Sequence, residues 1–439
     1  MNTLEKARED IDRIDREMTR LFEERMQAVA AVANYKAAHG LPVLDSGRER
    51  EVIEKGVSRL CDPSLAPFYT RYQKELMRVS RERQAKMLAE NGAEKGVESD
   101  TYRKYNLALP DSSYDIHFER GGLSHVAKRF DLARRVLVLT DTGVPEEYAE
   151  RVCSAAKEGY ILRVESGEGS KSLDTLEMVE KTMLTHGFTR RDAVVAVGGG
   201  VVGDLGGFAA SAYMRGIDFY NVPTTVLSMV DSSVGGKCAV NLGGVKNILG
   251  AFYQPKGVLI DPELLYTLPD RQVAAGLAEV IKIALTSDKE LFARFEKNDM
   301  TLDNIDDILY RAVVLKAHVV EADEKEAGLR KILNFGHTYG HAIEGYTGMQ
   351  NLLHGECVAL GMLPMCADTV RARLIPVLKK VGLPTLLPPQ TEAILPLALK
   401  DKKRTGDAID CVLVDEVGSC RIERLSVEDF RQRILSYAN

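Results

Sequence analysis

The chain has 439 residues, 45% hydrophobic and 28% charged, which is too long for one ordinary core and fits a globular protein of two or three domains. A formal net charge of -6 gives no global field for nucleic acid or an anionic membrane, so an anionic ligand must be met by local basic clusters. No apolar run approaches the ~20 residues that span a bilayer. The N-terminus has no apolar signal core, and seven scattered cysteines form no C-x-x-C pair. A reducing, cytoplasmic setting without disulfides or a thiolate metal site is expected.

Residues 1 to 90 carry no strand signal. Leu4, Ala7, Ile11, Ile14, Met18 and Leu21, then Met26, Val29 and Val32, recur at helical steps and predict one long amphipathic helix. Pro42 interrupts it, a second helix is expected from near Ser46, and after Pro63 and Pro67 a third from about Phe68 to Leu88. Three helices of unequal length make a poor core, and the first would expose much of its stripe in a monomer. This segment is therefore expected to pair with a second copy.

The run "NGAEKGVESD" is glycine-rich, charged and aperiodic, and a linker is placed at 91–105. Short β-branched runs then alternate with helical stretches ("RRVLVLT", "DAVVAVGGG", "IDFYNVP"), which predicts an α/β domain with a parallel sheet at 106–269. Residues 270–439 read as mostly helical, with one late hairpin around "DAIDCVLVDEVGSCRIERL".

In "VVAVGGGVVGDLGGFAAS" a strand runs into G-x-G-x-x-G at Gly198, Gly200 and Gly203, a loop whose backbone can approach a pyrophosphate. The usual Rossmann acid is missing, because Asp218 begins the next strand rather than closing it. By themselves these residues leave dinucleotide binding and tight strand–helix packing level. The following stretch interleaves Arg215, Asp231, Lys237, Asn241, Lys246 and Asn247 with glycines, after Thr224 and Thr225, and reads as a loop lining a pocket for a phosphorylated, polyhydroxylated substrate. Further on, His337 and His341 share a helix face, His354 follows, and upstream Glu279 precedes Lys282 by three residues. One carboxylate and two histidines with open positions is the pattern of a catalytic zinc.

"GGGVVGDLGGFAASAYMRG", "VPTTVLSMVDSSVGGKCAVN", "AEVIK", "RKILNFGHTYGHAIE" and "HGE", in this order, resemble 3-dehydroquinate synthase over roughly residues 106–439. The resemblance implies a Rossmann-like NAD-binding domain followed by a helical metal- and substrate-binding domain. It implies zinc, with cobalt as the alternative ion, on Glu279, His337 and His354. NAD would lie on Gly199, Gly200 and Val201 beside Asp204, and on Asp141, Glu168, Lys171, Thr224, Thr225 and Asp231, with Lys246 counted on the cofactor side. Arg215, Lys237, Asn247, Lys282, Lys316, Arg330, Asn334, His341 and Lys402 would hold 3-deoxy-arabino-heptulosonate 7-phosphate. The implied reaction passes a hydride from C5 to NAD, loses phosphate, returns the hydride and closes the ring by an internal aldol step, with no net oxidation.

On the first helix, Arg25 and Lys36 are about 20° apart in projection, whereas Arg8 lies roughly 25 Å from Arg25 along the axis and can serve the same pocket only from a partner chain. With Asp45, Arg48 and Glu49 on the second helix and Ser80 and Gln84 on the third, the set resembles the all-helical chorismate mutases over nearly all of residues 1–90. This implies that Arg8, Arg25, Arg48 and Ser80 grip two carboxylates, Lys36 and Gln84 the ether oxygen and Glu49 a hydroxyl, in an intertwined homodimer. The expectation is a bifunctional enzyme of small molecules. The alternatives are a synthase with a non-catalytic chorismate- or prephenate-sensing domain, another sugar-phosphate cyclase, or a simple metal-dependent alcohol dehydrogenase of related fold.

Overall fold

The computed structural model describes residues 3–39, 46–90, 102–297, 301–302, 304–347, 352–398, 404–405 and 408–438. The backbone divides into two compact units, Met1–Asp100 and Thr101–Asn439.

The first unit holds three helices, α1 (Thr3–His39), α2 (Ser46–Val57) and α3 (Ala66–Glu90). With neither glycine nor proline from Thr3 to His39, nothing breaks α1 over 37 residues. Ahead of α3, the Asp62 carboxylate accepts the Ser64 N–H (2.9 Å) and caps the turn Pro63–Leu65. The second half of α1 packs on α3, where Ala33, Met77, Ser80 and Gln84 are buried. The first half keeps Leu4, Ile11, Ile14, Met18 and Leu21 exposed, so this unit's own residues do not cover the predicted stripe.

Of the twelve strands among the described residues of the second unit, the first nine are β1 (Arg103–Leu107), β2 (Tyr114–Phe118), β3 (Arg135–Asp141), β4 (Glu158–Val164), β5 (Ala193–Gly198), β6 (Asp218–Pro223), β7 (Lys237–Leu242), β8 (Val245–Phe252) and β9 (Gly257–Ile260). Seven of them form one sheet in the order β1-β2-β9-β6-β5-β3-β4, parallel except for the edge strand β1. β5 and most of β3 are buried on both faces, which is why they read as continuous apolar runs. β1 corrects the linker boundary. Residues 103–105 read as linker because exposed Arg103 and Lys104 hide the strand pattern, yet they pair with β2. Of the rest of that linker, residues 91–101 lie outside the described residues.

A second correction concerns the polar stretch after the glycine loop. It is not a loop: β7 and β8 form a separate antiparallel hairpin across Gly243 and Gly244, both with positive φ (60° and 77°). A Gly-Gly pair between two β-branched runs is itself a hairpin signal. Past the sheet, the chain is mostly helical, and the expected late hairpin pairs Ala408–Glu416 with Ser419–Ser426.

Five helices position the site: α4 (Gly200–Ala212), α5 (Asp270–Ser287), α6 (Ile305–Ala322), α7 (His337–Thr347) and α8 (His354–Met362). From Ala274 to Thr286, α5 is wholly buried. Glycine lets α8 approach it, because a Cβ on Gly355 would overlap the Ala275 carbonyl, one turn before Glu279. Gly355→Ala is therefore expected to cost about 1–3 kcal/mol through overpacking, read as a lower urea midpoint for the full chain; an unchanged midpoint would contradict this packing.

Candidate active site

α5 carries Glu279 into the core at 0% exposure, where its Oε2 accepts from Lys282 and its Oε1 has no hydrogen-bond partner. Two imidazoles face that oxygen. His337 opens α7 and His354 opens α8, and the Nε2 of each lies 3.6 Å from Glu279 Oε1. His337 Nδ1 donates to the Phe335 carbonyl (3.1 Å) and His354 Nδ1 to Glu344 Oε2 (3.1 Å), which directs both Nε2 atoms inward. Donors about 2 Å from a shared ion stand roughly 3.3 Å apart in a tetrahedron, so this carboxylate and these imidazoles fit a divalent metal. His341, one turn along α7 from His337, joins the group: the ligand atoms of His337, His341 and His354 lie within 4.8 Å of one another.

The electrostatics favour a cation at this point. Burial pushes the Glu279 carboxyl up, but Lys282 and His354 outweigh it and hold the group at about 2. Burial pushes the His354 imidazolium down, and the neighbouring Glu279 and Glu344 carboxylates reverse this and lift it to about 10. An imidazole between two carboxylates calls for a positive charge, which a proton or a metal ion supplies.

The histidines form one end of a cavity of about 520 Å³, lined also by Asp204, Asp231, Lys237, Asn247, Lys282, Lys316, Arg330 and Asn334. Lys316 on α6 bonds the side chain and carbonyl of Asp231, which sits in the π-helical turn Ser228–Ser232. Burial raises the Asp231 carboxyl, yet Lys316 and Lys282 keep it below its ordinary value. Arg330, 3% exposed, donates to the Gly235 carbonyl (3.3 Å), and a side chain at Gly235, where φ is +100°, would strike the guanidinium. Asn334 Nδ2 donates to Glu326 Oε1 (2.6 Å), while Lys237 pairs with the other Glu326 oxygen. Glu326 is a site residue that sequence reading missed. Within "EADEKE" nothing distinguishes it, and only the fold sets it, at φ +60°, between Lys237 and Asn334.

The residues expected to hold the nucleotide meet along the glycine end of α4. Gly199 precedes the helix in extended conformation, and a Cβ on Gly200 would come 3.1 Å from Ser232 Oγ, so glycine keeps open a cradle at the helix N-terminus beside Val201. Thr224 is buried at the end of β6, Thr225 exchanges hydrogen bonds with Ser228, and Asp141 closes β3 and accepts the Gly143 N–H (2.7 Å). Burial raises Asp141. Lys171 Nζ bonds Asp204 (2.5 Å) and Asn247, and burial, opposed by Lys171, lifts the Asp204 carboxyl to about 6. Glu168 accepts from Asn241.

Two expected positions differ. Lys246 stands on a strand rather than in a loop, and its Nζ reaches Glu344 (2.7 Å) at the metal end. Arg215 is exposed past the C-terminal end of α4, at φ +70°, and does not line the cavity, because α4 separates it from the glycine loop. Lys402 lies outside the described residues.

In the helical unit, Arg25 Nη1 donates to Ser80 Oγ and to the Leu76 carbonyl (3.4 Å). Ser80 and Gln84, one turn apart on α3, are buried, and Gln84 Oε1 has no partner. Lys36 is half-buried, whereas Arg48 is exposed and pairs with Glu51 (2.7 Å). Arg8 is exposed, 17 residues up α1 from Arg25. Asp45 lies outside the described residues, and the Glu49 side chain is not among those described.

Residues 161–275 match the family model of the 3-dehydroquinate synthase N-terminal part and residues 276–404 that of its C-terminal part. A 3-dehydroquinate synthase of Streptococcus sanguinis is 41% identical over 350 residues, 75% of this chain and 99% of that protein. The chain belongs to the 3-dehydroquinate synthase family. A second synthase, from Clostridium kluyveri, is 38% identical over 74% of the chain and 96% of its own length. Residues 7–85, outside the synthase part, match the model of chorismate mutase type II. Among solved structures, a 2-deoxy-scyllo-inosose synthase complexed with carbaglucose-6-phosphate, NAD+ and Co2+ is similar at a TM-score of 0.69 and 28% identity, covering 76% of this chain and 99% of that one. The 2-epi-5-epi-valiolone synthase of Streptomyces hygroscopicus subsp. jinggangensis 5008, with NAD+ and Zn2+ bound, is similar at 0.66 and 28%, covering 75% and 98%.

If Glu279 is a metal ligand in the synthase part, Glu279→Gln weakens zinc binding by more than the roughly 10–100-fold that loss of an outer partner costs. Chelator competition on the full chain reads this directly; an unchanged affinity would remove Glu279 from the metal set.

Proposed function

We propose that the chain is a bifunctional enzyme that converts 3-deoxy-arabino-heptulosonate 7-phosphate to 3-dehydroquinate and phosphate, and chorismate to prephenate. The observation that carries the first activity is the buried, unpartnered Glu279 oxygen facing two Nε2 atoms at one end of a cationic cavity. Bound NAD+ supplies a transient hydride acceptor and a divalent ion, zinc or cobalt, a Lewis acid. The chain's own residues do the rest. Lys237, Arg330 and Asn334 exchange internal partners such as Glu326 for the phosphate and carboxylate of the substrate, and Lys282, Lys316 and His341 hold its hydroxyls. Fixed cations keep the departing phosphate close to the proton it must collect at C6. The glycine cradle at the α4 N-terminus takes the pyrophosphate, with Asp204 beside it.

The second activity is supported by the match of residues 7–85 and by Arg25, which meets Ser80 one turn from the unpartnered Gln84 oxygen. A pericyclic rearrangement needs no nucleophile, only a folded dianion and positive charge at the breaking C–O bond. Arg8 is too far along α1 to join this pocket, and the exposed first half of α1 offers an apolar face to another α1, so we take the working form to be a homodimer in which Arg8 crosses to the partner's site. A purely sensory role for the helices is not favoured. All seven cysteines are free, which fits a reducing compartment, and we take the cytoplasm as the place of action. Among the described residues no helix is long and apolar enough to cross a membrane.

The test is phosphate release from the heptulosonate phosphate with NAD+ and zinc, followed together with absorbance at the NADH band. Release without net NADH is expected, and turnover of sedoheptulose 7-phosphate instead would transfer the assignment to another cyclase. Arg25→Ala is expected to lower chorismate turnover by roughly 10²–10³-fold while phosphate release persists; chorismate turnover equal to the parent's would sink the mutase assignment.

A further inference from the structure

We infer that Asp323, the residue on which α6 ends, is a positioning residue for substrate binding: by holding three backbone N–H groups it shapes the turn that aims Glu326 and Arg330 at the cavity. This rests on the proposed synthase chemistry and adds to it a residue that acts only through others.

Asp323 follows the last turn of α6 and does not itself line the cavity. Its Oδ1 accepts the Ala327 N–H (2.8 Å), and its Oδ2 accepts those of Gly328 (2.7 Å) and Arg330 (2.9 Å). One carboxylate thus closes the turn from Asp323 to Arg330. The same bonds hold its carboxyl below the ordinary carboxylate range, so it is ionised and accepting at neutral pH. The turn needs such a hold because it is strained. Glu326 stands in the left-handed region (φ +60°), which is unfavourable for any residue with a Cβ and lasts only where the surroundings over-determine it. In that conformation its carboxylate pairs with Lys237 and accepts from Asn334 (2.6 Å). Arg330 is fixed at both ends, its N–H on Asp323 and its guanidinium on the Glu324 and Gly235 carbonyls. Glu324 is tied in turn to the chain just past β8, where its Oε1 accepts from Gln254 Nε2 (2.9 Å). Beyond Arg330 the chain is pinned anew, Lys331 to Asp410 (3.1 Å), so a turn loosened at Asp323 stays anchored ahead of His337. Without the Asp323 carboxylate, Glu326 relaxes, Lys237 and Asn334 lose their common partner, and Arg330 loses its backbone anchor.

Arg330 and Asn334 are expected to grip the substrate before and during turnover alike, so misplacing them removes uniform binding and raises KM rather than lowering kcat. The experiment compares the full-length parent with Asp323→Asn, which keeps one acceptor oxygen, and Asp323→Ala, which keeps none. Asp323→Ala is expected to raise KM for the heptulosonate phosphate by roughly 10–100-fold, the worth of one charge-assisted hydrogen bond, with kcat within about threefold of the parent's. Asp323→Asn should fall between the two. NAD+ affinity by calorimetry and zinc affinity by chelator competition should equal the parent's in both variants. An unchanged KM in Asp323→Ala would overturn the inference, and so would a kcat that falls as far as kcat/KM. Parallel loss of substrate, NAD+ and zinc affinity in Asp323→Asn would overturn it too, because that pattern marks general damage to the fold. If Asp323→Ala does not fold, Asp323→Asn decides alone by the same split between KM and kcat. A parent that releases no phosphate would instead remove the synthase reading itself, and the inference with it.

Discussion

The second unit is organised around one costly decision, the burial of the Glu279 carboxylate at the centre of α5. An ionised carboxylate in a protein core is tolerated only with opposite charge and directed donors close by. Lys282 supplies the charge from the same helix, and His337 and His354 arrive at the first residues of α7 and α8. That requirement explains the glycines of the helical half. α8 can bring His354 to Glu279 only by lying almost on the α5 backbone, and at Gly355 no side chain fits. Packing and chemistry are here the same constraint.

The cavity next to it follows a second rule, that a site built for a polyanion must keep its cations ionised and aimed before the ligand arrives. Lys316 leans on Asp231, Lys237 on Glu326, Lys171 on Asp204. These carboxylates occupy positions of the kind that substrate oxygens would take, so binding is an exchange of ion pairs rather than the creation of new ones. Such an exchange lowers the net gain in affinity but spares the protein an unpaired ammonium, a buried one at Lys316 and Lys171. Arg330 is held by backbone carbonyls instead, which fixes its fork without neutralising it.

The helical unit obeys different physics. Its reaction asks for shape and charge, not for a base or a metal, and the groups proposed for it are an arginine, a serine and a glutamine on helices with little core of their own. The long exposed stripe on α1 is consistent with this economy. In the proposed homodimer, a helix that completes its packing on a second copy can also deliver a residue to that copy's site.

Amino-acid order determined the division into a helical segment, a sheet domain and a late helical domain, because hydrophobic period and the Gly/Pro punctuation are local properties. The glycine loop, the His337–His341 spacing and the Glu279–Lys282 face were legible for the same reason, each being a pattern within one element. Strand β1 was not, since two exposed basic residues mask its alternation, and the β7–β8 hairpin was hidden by the very polar residues it presents. Only the tertiary structure decided which groups meet: Glu326 between Lys237 and Asn334, Glu344 behind His354, Lys246 on Glu344, and Arg215 past the C-terminal end of α4. Those positions depend on distances between residues tens to hundreds apart in the chain, and sequence spacing does not fix such distances until the sheet and the helices have packed.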